Sequence, residues 1–264
     1  MNTSAAAAAS RLSPPASTAS GLGGYRTLWA WMIVPMVLMQ AGIFFDYWGD
    51  FSENDWSIHV HYWTATAWYL LLILQPYWAT HGKLARHRTV GIIGMFLAGG
   101  VGITALSMLG RDLRLVQLAT EQPERFGPFT PEFFYGVAAV ELPMVLIFCM
   151  AVIMAILRRK SLQDHAWWLI STVFIIMMPA LSRGLAALFI MAQADQWPAV
   201  DIYTPIVISQ AIIVALTLGA AWMYGKLKHP ATWWAVAINL YVLFVFELGK
   251  IEGIQRLLTA LIHV

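Results

Sequence analysis

Charge is scarce in this chain. Of its 264 residues only 11% are Asp, Glu, Lys or Arg, while 59% are hydrophobic; a soluble domain carries roughly 25% charged residues. So little polar surface excludes a globular protein in water and leaves a polytopic membrane protein. Cysteine is nearly missing too. Cys149 stands alone inside an apolar run, which excludes an intrachain disulfide and any cysteine-built metal site. The HExxH and HxxxH spacings of metal hydrolases, the dinucleotide glycine fingerprint and the P-loop do not occur. No internal repeat of the kind many transporters carry is visible. No metal site and no nucleic-acid partner is expected.

What the chain does have is long apolar runs. Seven windows reach the ~20 residues a lipid-crossing helix needs: roughly 27–46, 61–80, 90–109, 133–157, 166–193, 203–224 and 231–249. Lipid leaves the backbone to satisfy its own hydrogen bonds, and no alternating barrel pattern appears, so the runs read as helices. The expected fold is all-α: one transmembrane bundle over 25–264 with seven spans, behind a disordered cytoplasmic tail at 1–24 rich in Ala, Ser, Pro and Gly. Residues 110–132 read as a long external loop with one short amphipathic helix at 111–121. Residues 250–264 read as a terminal interfacial helix or a continuation of the last span.

The charges divide by side. The tail and the loops 81–89, 158–165 and 225–230 hold ten basic residues and one acid, Asp164; the opposite loops, with helix-end acids, hold five basic and twelve acidic residues. The positive-inside rule then places the N-terminus in the cytoplasm and the C-terminus outside. Tyr and Trp pairs at the span ends, such as Tyr77 with Trp78, suit interfacial belts.

Within the spans, Gly94, Ala98 and Gly102 repeat every four residues, a small-residue face that lets helices approach closely. Ionisable residues in lipid mark functional sites by default. Glu141 and Arg183 fall at similar depth, so a direct buried ion pair between them is expected, serving either helix register or a site. Asp46, His59, His61, Gln193, Asp195, Glu247 and Lys250 gather toward the same side, which suggests an outward-open polar basin. His59 and His61 are two residues apart and cannot share one helix face; His61, nearer the span, is the candidate ligand group. On the other side His87 and His165 open two different spans at one level. Two imidazoles facing across a bundle are what a haem b site requires, and snorkelling within basic loops is the plainer reading.

One resemblance can be drawn. His61 with Gln75, the run RHRTVG at 86–91, DHAWWLIS at 164–171 and SRG at 182–184 resemble the His-Arg-x-x-Gly and His-x-x-Trp motifs of bacterial multipass membrane proteins with a predicted membrane domain of unknown function. His87, Arg88, Gly91, His165, Trp168 and Arg183 carry the match, over about 59–190. The resemblance implies a membrane fold in a bacterial inner membrane and no particular activity.

Three functions fit these residues: a haem-b or quinone-linked redox protein performing electron transfer, a transporter of a small solute or protons, and a non-enzymatic accessory subunit. The lipid bilayer is the expected partner, with a quinone or other small molecule beside it. The histidines put the redox reading first. No catalytic residue stands out.

Overall fold

The computed structural model describes residues 23–262; the tail expected at 1–24 falls almost wholly outside them. Five helical stretches are long and apolar enough to cross a membrane: Leu84–Glu121, Pro131–Leu157, Leu162–Ala192, Tyr203–Met223 and Pro230–Gly249. The first two sequence windows are helical but do not join that set. The 27–46 window is divided into α1 (Leu28–Trp31), α2 (Ile33–Gly42) and a π-helical turn at Phe44–Gly49. The 61–80 window lies within α3 (Trp56–Thr80), which is rich in Tyr, Trp and His. Five candidate spans are therefore supported, and a count of seven is a proposal beyond them.

The expected loop at 110–132 needs correcting. α4 (Leu84–Glu121) runs unbroken for 38 residues, so the amphipathic piece at 111–121 is its last three turns. Only Gln122, the short α5 (Pro123–Phe126) and residues 127–130 connect it to α6 (Pro131–Leu157). Pro131 at the first helical position and the Thr130 hydroxyl, which accepts from Phe133 N–H at 3.3 Å, start α6. α9 (Tyr203–Met223) is capped by Asp201, whose Oδ1 accepts from Tyr203 and Thr204 N–H at 2.9 and 3.1 Å. α12 (Glu252–Ile262) closes the chain as a separate amphipathic helix.

α6 is the hub, packed against α4, α7 (Leu162–Ile175), α10 (Pro230–Tyr241), α11 (Val245–Gly249) and α12. The small face of α4 is buried as expected. A Cβ on Gly94 would meet Leu71 of α3, and one on Gly102 would press the Cys149 sulfur of α6 at 3.2 Å. A second close crossing was not foreseen: α2 lies on α8 (Met178–Ala192) with Gly42 and Gly184 backbone to backbone. Two apolar clusters result. The large one fills the bundle, and a smaller one joins Leu109, Leu113, Val116 and Ala119 of α4 to Phe134, Ala138 and Leu258.

The fifth sequence window is not one helix. α7 stops at Ile175 and α8 starts at Met178. Pro179, which has no N–H to give, explains why the ladder fails there. The end of α7 is propped by side chains from two other helices. Tyr69 of α3 donates to the Val173 carbonyl at 3.1 Å, and Asn239 of α10 donates to the Phe174 carbonyl at 3.0 Å. Carbonyls freed by a break in lipid must find such donors.

Candidate functional site

Beside this break lies an ionic cluster drawn from four parts of the chain: Asp46 of the π-helical turn, Arg111 and Asp112 of α4, Glu141 of α6 and Arg183 of α8. Asp112 is 2% and Glu141 7% exposed. The arrangement differs from the pair the sequence suggested. Among the described residues Arg183 has Asp46 as its ion-pair partner, Nη1 to Oδ2 at 3.7 Å, and no Glu141 oxygen lies within 4.0 Å of it. The cause is the glycine crossing. It seats α2 against α8 so that Asp46, one turn beyond Gly42, arrives beside the residue preceding Gly184. Glu141 and Asp112 are instead the two buried acids of the cluster. Carboxylates only accept hydrogen bonds, so the two can bond each other only when one carries a proton. Asp112 Oδ2 is buried without a hydrogen-bond partner among the described residues.

The cluster forms a wall between two cavities. One, about 350 Å³, is lined on its far side by His61, Tyr62, Tyr69, Asp50 and Asn54. The other, about 400 Å³, is lined on its far side by Phe126, Phe129, Phe133, Phe134 and Ile206. Asp46, Arg111, Glu141, Pro179 and Arg183 line both. Among the described residues Arg111 has Asp112 as its ion-pair partner, at 3.9 Å. Neither guanidinium makes a hydrogen bond to a described residue, although each has five N–H donors.

Of the basin residues, Asp46 and His61 line the first cavity and the others do not. His61 Nδ1 lies 3.2 Å from the Thr104 hydroxyl. His59 turns the other way and pairs with the Tyr47 hydroxyl at 2.9 Å, as the two-residue spacing required. Glu247 and Lys250 pair with each other at 2.8 Å on the surface. The Gln193 amide oxygen accepts from Asp201 N–H at 3.1 Å, and Asp195 is exposed.

At the opposite, basic end His87 and His165 do come together, ring centroids 6.3 Å apart and planes perpendicular. Gln75 sits over His87. With its amide turned so that every contact has a donor and an acceptor, its nitrogen donates to the His87 carbonyl at 3.2 Å and to ring Nδ1, and its oxygen accepts from Gly91 N–H at 3.1 Å. His87 therefore carries its proton on Nε2. His165 Nδ1 donates to the Ala155 carbonyl at 2.9 Å, which leaves its Nε2 as an acceptor. One free nitrogen donates and the other accepts, which suits a hydrogen bond or a bridging water. Two axial iron ligands would each offer a lone pair, which His165 Nε2 has and which His87 Nε2 would have with the Gln75 amide oxygen turned to accept from Nδ1–H. Among the described residues no group of three or more His, Cys, Asp or Glu could hold a metal ion.

No family model, curated protein or solved structure matches the chain. The motif resemblance therefore assigns no family. What is established is a multi-helix protein with five candidate membrane spans.

Sequence reasoning missed Arg111 and Asp112. A signal was there: Leu109, Asp112, Val116 and Ala119 follow helical spacing and are all buried, continuing one inward face past the point where hydropathy drops.

Proposed function

We propose that the protein is a proton-coupled carrier of a small solute in a bacterial inner membrane, with the Asp46–Arg111–Asp112–Glu141–Arg183 cluster as its binding site. One observation carries this reading: the ionic cluster separates two cavities beside a propped break in a membrane helix. Discontinuous helices are where secondary transporters build solute and ion sites, because freed backbone is tolerated only where it lines a cavity. In this reading the two buried acids, Asp112 and Glu141, share a proton that is given up when a solute charge changes the balance at the wall. Two guanidinium groups with unused donors await an acceptor. With the basic end assigned to the cytoplasm by the positive-inside rule, both cavities belong to the outer half.

The test is reconstitution into liposomes loaded with a pH-sensitive dye, followed by a panel of small carboxylates, amines and sugars. A carrier moves protons only when its solute is present, and Glu141→Gln abolishes that movement. Proton movement that ignores every solute, or persists in Glu141→Gln, overturns the reading.

The His87–His165 approach supports a second reading, a haem-b or quinone-linked electron carrier. Its geometry is favourable in distance and requires the other His87 tautomer. The visible spectrum of the purified protein, oxidised and reduced, decides it: a b-type Soret and α band restores that reading, and a colourless protein from haem-sufficient cells removes it.

A further inference from the structure

The two cavities differ in what they can hold, and the difference names a ligand class. The larger one, about 400 Å³, has charge at one end only. Of its charged residues, Asp46, Arg111, Glu141 and Arg183 are shared with the other cavity, and Asp112 adjoins Arg111 on α4, so they stand at the dividing wall. The remainder is apolar but for Ser182, and four phenylalanines dominate it: Phe133 and Phe134 at 5.5 Å, Phe129 and Phe133 at 5.3 Å, Phe126 and Phe134 at 5.9 Å between ring centroids. Pockets of this size range take small organic molecules, with a few polar groups setting orientation.

At the wall both bases keep donors to spare. Arg183 and Arg111 approach the carboxylate oxygens of Asp46 and Asp112 no closer than 3.7 and 3.9 Å and make no hydrogen bond to a described residue. A charge-assisted N–H···O bond runs at about 2.7–2.9 Å, so both guanidinium groups are near their counter-charges without bonding to them. A carboxylate is the group that accepts two parallel bonds from such a fork. A cation would leave those donors unsatisfied. A fully hydrophilic anion would leave the phenylalanine walls against polar atoms. We infer that the Phe-lined cavity binds an amphipathic monocarboxylate, its carboxylate on Arg183 and Arg111 and its aromatic or aliphatic body among Phe126, Phe129, Phe133 and Phe134. This inference rests on the carrier reading for its purpose, and on the cavity alone for its chemistry.

The test is binding to the full chain in detergent, read by calorimetry and thermal shift at neutral pH. Phenylacetate and octanoate should bind saturably and compete with each other. Acetate, phenylacetamide and phenethylamine should bind at least tenfold more weakly. Arg183→Gln should weaken phenylacetate at least tenfold, and Arg183→Lys should not restore it, since an ammonium offers no fork. If Arg183→Gln does not fold, Phe129→Ala serves in its place and should weaken phenylacetate while leaving acetate unchanged. Equal binding of acetate and phenylacetate overturns the inference, as does preference for the amine. Binding of lysophosphatidylglycerol with both carboxylates failing also overturns it, and makes the cavity a phospholipid site. Carboxylate binding without solute-coupled proton movement in liposomes would remove the carrier reading and leave the ligand class standing. Coupled movement of another solute class without carboxylate binding would do the reverse.

Discussion

Asp46 and Arg183 meet at 3.7 Å because Gly42, one turn before Asp46, and Gly184, next to Arg183, touch backbone to backbone. A Cβ on Gly184 would stand 2.5 Å from the Gly42 carbonyl oxygen, and one on Gly42 would stand 2.6 Å from the Ala180 carbonyl oxygen. The obstacle in both cases is main chain, which cannot step aside as a side chain can. Gly184→Val should therefore force α2 off α8. Overpacking of this kind costs about 1–3 kcal/mol, and the variant should show a lowered Tm in detergent together with loss of solute-coupled proton movement. Retention of both would mean that the crossing does not position the ionic wall.

Glu141 and Asp112 should respond to substitution according to whether a donor remains between them. Glu141→Gln places an amide N–H where the shared proton lies, so its stability should stay within about 1 kcal/mol of the parent. Glu141→Leu removes the donor and strands Asp112 in a buried site, which should cost about 3–5 kcal/mol. Denaturant unfolding of the two variants beside the parent checks this, and equal losses would argue against the carboxyl contact.

The propped break gives a separate expectation. Asn239→Leu leaves the Phe174 carbonyl without its side-chain donor, and Tyr69→Phe does the same to Val173. Each unsatisfied buried group costs about 1–3 kcal/mol. The double variant should lose more than either alone, since the two donors hold neighbouring carbonyls of one helix end. No change in unfolding midpoint would show that the end of α7 has another partner.

His229, in the loop before α10, predicts a pH dependence. Its Nδ1 accepts from Ala231 N–H at 3.2 Å to cap α10, while Nε2 lies 3.6 Å from Asp164 Oδ1. Burial holds its pKa below the ordinary histidine value, against the opposing pull of Asp164. A folded-state pKa below the unfolded value means that the unfolded chain binds the proton more readily. Stability from this residue is therefore full above about pH 6.5 and declines as pH falls through that value toward the folded pKa. Protonation also removes the lone pair that caps the helix. His229→Asn keeps a cap without the titration, so its Tm should fall less than the parent's between pH 7.5 and 5. A parent whose Tm rises on acidification over that window would contradict the assignment.

Much of the fold was legible from hydropathy alone. α6 and α9 begin and end within two residues of their sequence windows, because continuous apolar runs in lipid have no other way to satisfy their backbones. The partners of Glu141 and Arg183 were not legible. Depth along a helix follows from counting residues, but the direction a side chain faces depends on which helices cross and how closely, and Gly42 and Gly184 decide that. The end of α4 was hidden for another reason. Arg111, Asp112 and Arg114 stop a hydropathy window, yet helix formation continues where charges have one another and a cavity to face. His87 and His165 were matched in height from the sequence and lie side by side, but their tautomers depend on Gln75 and Ala155, contacts that residue spacing does not encode.

The division of the apolar interior into two clusters has a mechanical consequence. Seven residues, Leu109, Leu113, Val116, Ala119, Phe134, Ala138 and Leu258, make up the smaller one. They tie the last turns of α4, the start of α6 and the terminal helix α12 together, apart from the main body. Cooperative opening follows such divisions: a segment with its own small core can detach at a fraction of the energy that dissolves the whole. Amide hydrogens at the α4 end and in α12 should thus exchange together, ahead of those in the middle of α6 and α7. This small core adjoins the phenylalanine cavity, which Phe134 also lines, so its opening would give a bulky apolar molecule a way in that leaves the bundle intact.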